Sequence, residues 1–113
     1  MITRYAFFEG SIREGQAAAF RQVVLEELVP TWQAFPGALA VRVSFPQARD
    51  EGAPEMALIL AVDYPDRAVL EQALTSEARK ISRATTERVL PRFFSGRIYH
   101  HVTELMMFDA IRT

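Results

Sequence analysis

Two uninterrupted apolar runs constrain this chain more than anything else in it: Tyr5-Ala6-Phe7-Phe8 and Met56-Ala57-Leu58-Ile59-Leu60-Ala61-Val62. Successive strand residues point to opposite faces of a sheet, so a strand with one wet face alternates apolar and polar side chains. Continuous runs of strand length predict a sheet buried on both faces. They lie in a chain that reads strand, helix, strand, strand, helix, strand. Two helices cover only one face of a four-stranded sheet. The other face needs a partner, most simply an identical chain across a two-fold axis.

Ile2 to Glu9 reads as the first strand, ended by Gly10. A helix follows from about Gln16 to about Phe35, with Phe20, Val24, Leu28, Thr31 and Phe35 spaced along one face. Ser11-Ile12-Arg13-Glu14 has capping-box spacing for its start. Pro30 lacks an amide donor and predicts a kink near Val29, and Pro36-Gly37 stops the helix. In the second strand, Leu39 to Phe45, Val41, Val43 and Phe45 alternate with Ala40, Arg42 and Ser44. Residues 46–54 form a polar loop, and Met56 to Tyr64 is the third strand. Asp66 is placed to cap a short helix carrying Val69, Leu70, Ala73 and Leu74. A second helical piece, about Glu77 to Phe93, has an inner stripe of Ala78, Ile81, Thr85, Val89 and Phe93. Ser95-Gly96 ends it, and Arg97 to Glu104 is the last strand.

Two βαβ-like halves of this kind close into an α+β, ferredoxin-like βαββαβ sandwich. Its four-stranded antiparallel sheet has helices on one face and dimerises through the other into an α+β barrel. The first and third strands are central there, which suits their continuous runs. The whole chain, 1–113, is one domain, and the apolar tail 105–113 is placed to clasp the partner subunit.

Composition narrows the function classes. A net charge of −1 gives no electrostatic reason to expect nucleic acid or a membrane surface as a partner. The absence of cysteine removes disulfides, thiolate nucleophiles and cysteine-based metal sites. No apolar run approaches a membrane span, and Met1-Ile2-Thr3-Arg4 does not open a signal peptide, so a cytoplasmic protein is expected. Basic residues are twelve arginines and a single lysine, Lys80. Genomic base composition accounts for that bias, although a buried arginine suits a carboxylate.

Three segments carry a family resemblance. Leu28-Val29-Pro30-Thr31-Trp32-Gln33-Ala34-Phe35-Pro36-Gly37 resembles the first-helix exit of the dimeric α+β barrel superfamily. Val62-Asp63-Tyr64-Pro65-Asp66, followed by Ala73-Leu74-Thr75-Ser76-Glu77-Ala78-Arg79, resembles its strand-to-helix passage. Phe93 to Glu104 resembles its last strand, and the chain is most similar to the EthD-like branch. The superfamily spans monooxygenases, haem-handling enzymes, decarboxylases and isomerases. The resemblance therefore implies the fold and a homodimer more than any one reaction.

Six residues stand out as candidates for chemistry. His100 and His101 are the only histidines and are neighbours on a strand, so they face opposite ways and cannot chelate one metal from one chain. Each is either an acid–base group or haem ligand, or a histidine hydrogen-bonded at an interface. Ile98 and Val102 make the His100 face the more apolar one. Arg4 points either into a cavity, where it would hold a carboxylate or phenolate, or into an interface ion pair. Trp32 and Tyr99 either line an apolar pocket or belong to the core. Asp63 is a general base with a raised pKa or a strand-end capping residue. The basic run Arg79, Lys80, Arg83, Arg88 and Arg92 is interrupted by Glu87 and reads as a solvated helix face.

No Gly-rich phosphate loop, nucleophile elbow or zinc helix is present. The RNA-recognition module shares this order of elements but stacks bases on third-strand aromatics, and Leu58 to Val62 holds none. The expected protein is a homodimer that binds a small hydrophobic or aromatic metabolite, with no cofactor and no metal. It acts either as a cofactor-independent enzyme of oxygenation, decarboxylation or proton transfer, or as a non-catalytic accessory protein of the same fold.

Overall fold

The computed structural model describes residues 1–112. Strands β1 (Ile2–Ile12), β2 (Ala40–Ser44), β3 (Met56–Tyr64) and β4 (Phe94–Glu104) form one antiparallel sheet in the order β2-β3-β1-β4. The two continuous apolar runs are therefore the two central strands. Helix α1 (Ala17–Val23) passes through a π-helical stretch, Val24–Leu28, into α2 (Val29–Gln33). Helices α3 (Arg67–Leu74) and α4 (Glu77–Val89) follow β3, and a 3-10 turn, Leu90–Arg92, leads into β4. Among the described residues no helix is long and apolar enough to cross a membrane.

The helices cover one face of the sheet. Phe8, Leu58, Leu60 and Val62 meet Phe20, Val24, Leu28, Trp32, Leu70 and Val89 in a single core. Asp66 caps α3 by accepting from the Val69 amide at 2.9 Å, as its spacing predicts. Ser76 caps α4 in the same way, from Arg79.

Four sequence expectations need correction. Gly10 and Ser95-Gly96 do not end elements: β1 and β4 pair onward through Gly10↔Gly96 to Ile12↔Phe94. A Cβ on Gly10 would collide with the Ser95 carbonyl, and one on Gly96 with the Glu9 carbonyl, so these glycines let the two strands cross closely. Ser11 to Glu14 consequently forms no capping box; Gln16 precedes α1 without a side-chain cap. The buried residue after Leu28 is Trp32, not Thr31. Pro30 has no amide to continue the α-helical ladder, and the Val29 amide reaches back to the Val24 carbonyl instead. That wider turn shifts the helix phase by about a residue and turns Trp32 inward. Finally, Ile81 is 53% exposed, and Ser82 takes the inner position on α4. The Thr31 hydroxyl donates to the Leu28 carbonyl at 2.6 Å and lies 3.2 Å from the Ser82 hydroxyl, so a small polar side chain sits where α2 and α4 approach.

Candidate functional site

Sheet register divides the five strand candidates between two faces, and the sixth, Trp32, lies on α2. Arg4, Ala6, Phe8 and His100 point towards the helices, with Ala6 opposite His100 across the β1–β4 pair. Thr3, Tyr5, Phe7, Asp63, Tyr99 and His101 point the other way. The histidines thus face opposite sides, as strand alternation requires.

On the helix side a groove of about 340 Å³ opens between the sheet and α4. Ala6, Phe8, Trp32, Phe35 and Leu60 form its apolar wall. Trp32 is only 3% exposed, so it belongs to the core and lines the groove at once. Arg4 and His100 enter from the sheet, and Arg79 and Arg83 from α4. Glu87 also lines the groove, one turn of α4 beyond Arg83.

The polar end has an unusual charge balance. Burial, then the charge of Arg79, lowers the Arg4 pKa to about 10; the nearby Tyr64 phenol opposes this. Arg79 is itself lowered by burial and then by Arg83. His100 keeps access to solvent through the groove, yet burial and then the charges of Arg4 and Arg79 lower its pKa from 6.5 to about 4. At neutral pH the imidazole is uncharged and able to accept a proton or hydrogen bond, while both arginines remain cationic. Arg79 is the residue that sequence reasoning placed in solvent. Its signal was weak: Ala78 and Ser82 flank the same helix face, and Arg79 turns partly inward with them.

Asp63, Tyr99 and His101 do not share that groove. Asp63 is not an available base, because both carboxylate oxygens are engaged. Thr3 donates to Oδ1 at 2.6 Å, and Arg42 donates to Oδ1 at 2.7 Å and Oδ2 at 3.1 Å. Burial pushes the carboxyl up, but the hydrogen bonds from Arg42 and Thr3, with the Arg42 charge, outweigh it and hold the pKa below its usual value. Asp63→Ala should cost about 2 kcal/mol, mainly because the fully buried Thr3 hydroxyl loses its acceptor. Asp63→Asn should cost less, and urea unfolding of the two variants measures the difference. The native pairing is present above the unfolded carboxyl value near pH 4 and is lost as pH falls through the lower folded one.

Tyr99 and His101 join Tyr5 and Phe7 in an aromatic cluster on the open face. Phe7 lies 5.4 Å from Tyr99 and 5.2 Å from His101 between ring centroids, and stacks on Tyr5 at 5.6 Å. Tyr99 donates to Glu9 at 3.1 Å, beside Arg97. These rings come from β1 and β4, not from the third strand where a base-stacking module carries them. Beyond the sheet, Met106, Met107 and Phe108 are at least 68% exposed, and the last tail residue, Thr113, lies outside the described residues.

No protein-family model and no curated sequence matches the chain. Solved structures do match over nearly its whole length. An ethyl tert-butyl ether degradation (EthD) family protein from Bacillus halodurans superposes with a TM-score of 0.74 at 19% identity, covering 94% of this chain and 99% of its own. A dimeric ferredoxin-like protein of unknown function from Bacteroides fragilis gives 0.61 at 9% identity, over 92% and 95%. An antibiotic biosynthesis monooxygenase gives 0.54 at 16%, over 95% and 100%. At these identities the likeness establishes architecture: the chain has the ferredoxin-like α+β fold found in an EthD family protein and its structural relatives.

Proposed function

We propose that this chain is one subunit of a homodimer that binds a small hydrophobic or aromatic metabolite in the groove between sheet and α4. The observation that carries this reading is the groove itself. It is large enough for a small organic ligand, apolar along Phe8, Trp32 and Leu60, and supplied with Arg4, Arg79 and His100 at one end. His100 and Arg4 are the leading functional groups, and Trp32 orients the ligand's ring. Tyr99, His101 and the tail belong to the second copy's side, where aromatic rings and exposed methionines favour burial.

Within the groove, a neutral His100 beside Arg4 and Arg79 is placed to accept a proton or hydrogen bond from a bound ligand. Several structural neighbours are named antibiotic biosynthesis monooxygenases, which makes oxygenation of the same ligand class the next chemistry to assay. A panel of small aromatic and alicyclic metabolites, titrated by NMR, tests the binding reading. Compounds that bind should move the His100 and Trp32 ring signals together and leave His101 unmoved. A panel that moves neither groove residue, or moves His101 alone, overturns it.

A further inference from the structure

Six of the twelve arginines have a partner, and Arg49, Arg92 and Arg112 stand exposed to solvent. Arg42, Arg67, Arg88 and Arg97 each pair with a carboxylate, Arg13 donates to the Pro91 carbonyl, and Arg21 lies over the Phe45 ring. The groove arginines differ. Among the described residues, Arg4, Arg79 and Arg83 make no side-chain hydrogen bond or salt bridge, although Arg4 and Arg79 are only partly exposed. Glu87, the acidic side chain in the lining, forms no ion pair with them. Like charges partly withdrawn from water and left unpaired are unfavourable. A sequence folds this way when something else supplies the negative charge.

We infer that the groove is built for an organic anion, an aromatic carboxylate or enolate whose oxygens lie between Arg4 and Arg79 and whose ring lies against Trp32, and that its binding is coupled to proton uptake by His100. This rests on the groove being the ligand site. The two guanidiniums come from different elements, β1 and α4, so an anion bridging them also ties the helix to the sheet. Guanidinium forks match carboxylate oxygens geometrically, and Trp32, Phe8 and Phe35 supply the flat apolar wall that an aromatic ring needs. A neutral ligand would leave both charges unanswered.

The coupling to His100 follows from the same charges. Burial first, and then Arg4 from β1 and Arg79 from α4 in the same groove lining, oppose protonation of the imidazole, with Arg83 acting on Arg79 and the Tyr64 phenol of β3 lying near both. Glu87 lines the far end of α4, and the α2 contribution, Trp32, carries no charge. An anion that neutralises Arg4 and Arg79 removes the charge part of that opposition while burial remains, and on this inference His100 binds a proton more readily in the complex than in the free protein. Affinity for the anion should therefore rise as pH falls from neutrality towards about 5, through the range between the ordinary histidine value and the free value of about 4.

The test compares 2-naphthoate with 2-naphthamide, which share a ring system and differ in charge. Binding is followed by Trp32 fluorescence and by the imidazole resonances of His100, with His101 on the opposite face as the internal reference. The carboxylate should bind at least about tenfold more tightly than the amide, the scale of one charge-assisted hydrogen bond. Arg79→Gln should abolish that advantage with the His101 signal unchanged, and bound naphthoate should raise the His100 pKa. Equal affinity for the two compounds overturns the anion inference and leaves the groove reading standing. A carboxylate preference with no change in the His100 pKa overturns the coupling. If neither compound moves His100 or Trp32, the groove reading falls and the inference with it.

Discussion

Replacing Gly96 by alanine should destabilise the protein by on the order of 3 kcal/mol, more than any single surface change. Gly96 faces Gly10 across the β1–β4 pair, and the two backbones approach so closely that a Cβ would enter the Glu9 carbonyl and crowd the Gly10 Cα at 2.8 Å. Both obstacles are backbone, so no side-chain rotation relieves them. The Phe94 ring lies against the same spot, 2.8 Å from the added carbon, and is itself fixed against Phe8. Gly10 has a further restriction, a φ of +151° that side-chain-bearing residues rarely adopt. Gly10→Ala should match or exceed the Gly96→Ala loss. Against a total stability of about 5–15 kcal/mol, the double variant should fail to fold at 37 °C. Urea unfolding at fixed protein concentration measures the effect; a Gly96→Ala loss within about 0.5 kcal/mol would mean that β1 and β4 do not cross this closely.

Phe7→Asp should convert the proposed homodimer to a monomer without unfolding the subunit. Phe7 is at the centre of the open-face cluster, touching Tyr5, Tyr99 and His101. On the opposite side of the same strand, Ala6 and Phe8 build the core. In the proposed homodimer an aspartate at position 7 would place a charge in the middle of the interface on each of two copies, related by symmetry, so the like charges would meet. Truncating a central aromatic anchor alone commonly costs about 2 kcal/mol or more of association energy, and an added buried charge costs further. The dissociation constant should weaken by about a hundredfold at least. Sedimentation velocity reads the shift, and circular dichroism shows whether the subunit keeps its fold. A variant that remains dimeric would place the interface elsewhere on the molecule.

The sheet was legible because its signals are local and periodic. Met56 to Tyr64 reads as a strand with the bounds it has, and the central position of β1 and β3 follows from their unbroken apolar runs. Strand alternation alone sends His100 and His101 to opposite faces. What escaped depends on contacts far apart in the chain. Gly10 and Gly96 are indistinguishable from helix or strand stops until their 86-residue separation closes into a facing pair. Asp63 reads as a turn residue because its partners, Thr3 and Arg42, lie 60 and 21 residues away. Trp32 turns inward through the phase shift at the π-helical stretch, which Pro30 signals only as a kink. Arg79 lies in a run of charges, and only its approach to Arg4 from another element marks it as part of the groove.

In the proposed assembly each face of the sheet has its own occupant, with helices and ligand on one side and a second copy on the other. Native mass spectrometry of the freshly purified chain tests it most directly. The expected result is a species of twice the 12.8 kDa subunit mass at micromolar concentration, able to carry a small organic acid on each subunit. A monomer under those conditions would contradict it, because the aromatic face of β1 and β4 would then stand in water with nothing to cover it.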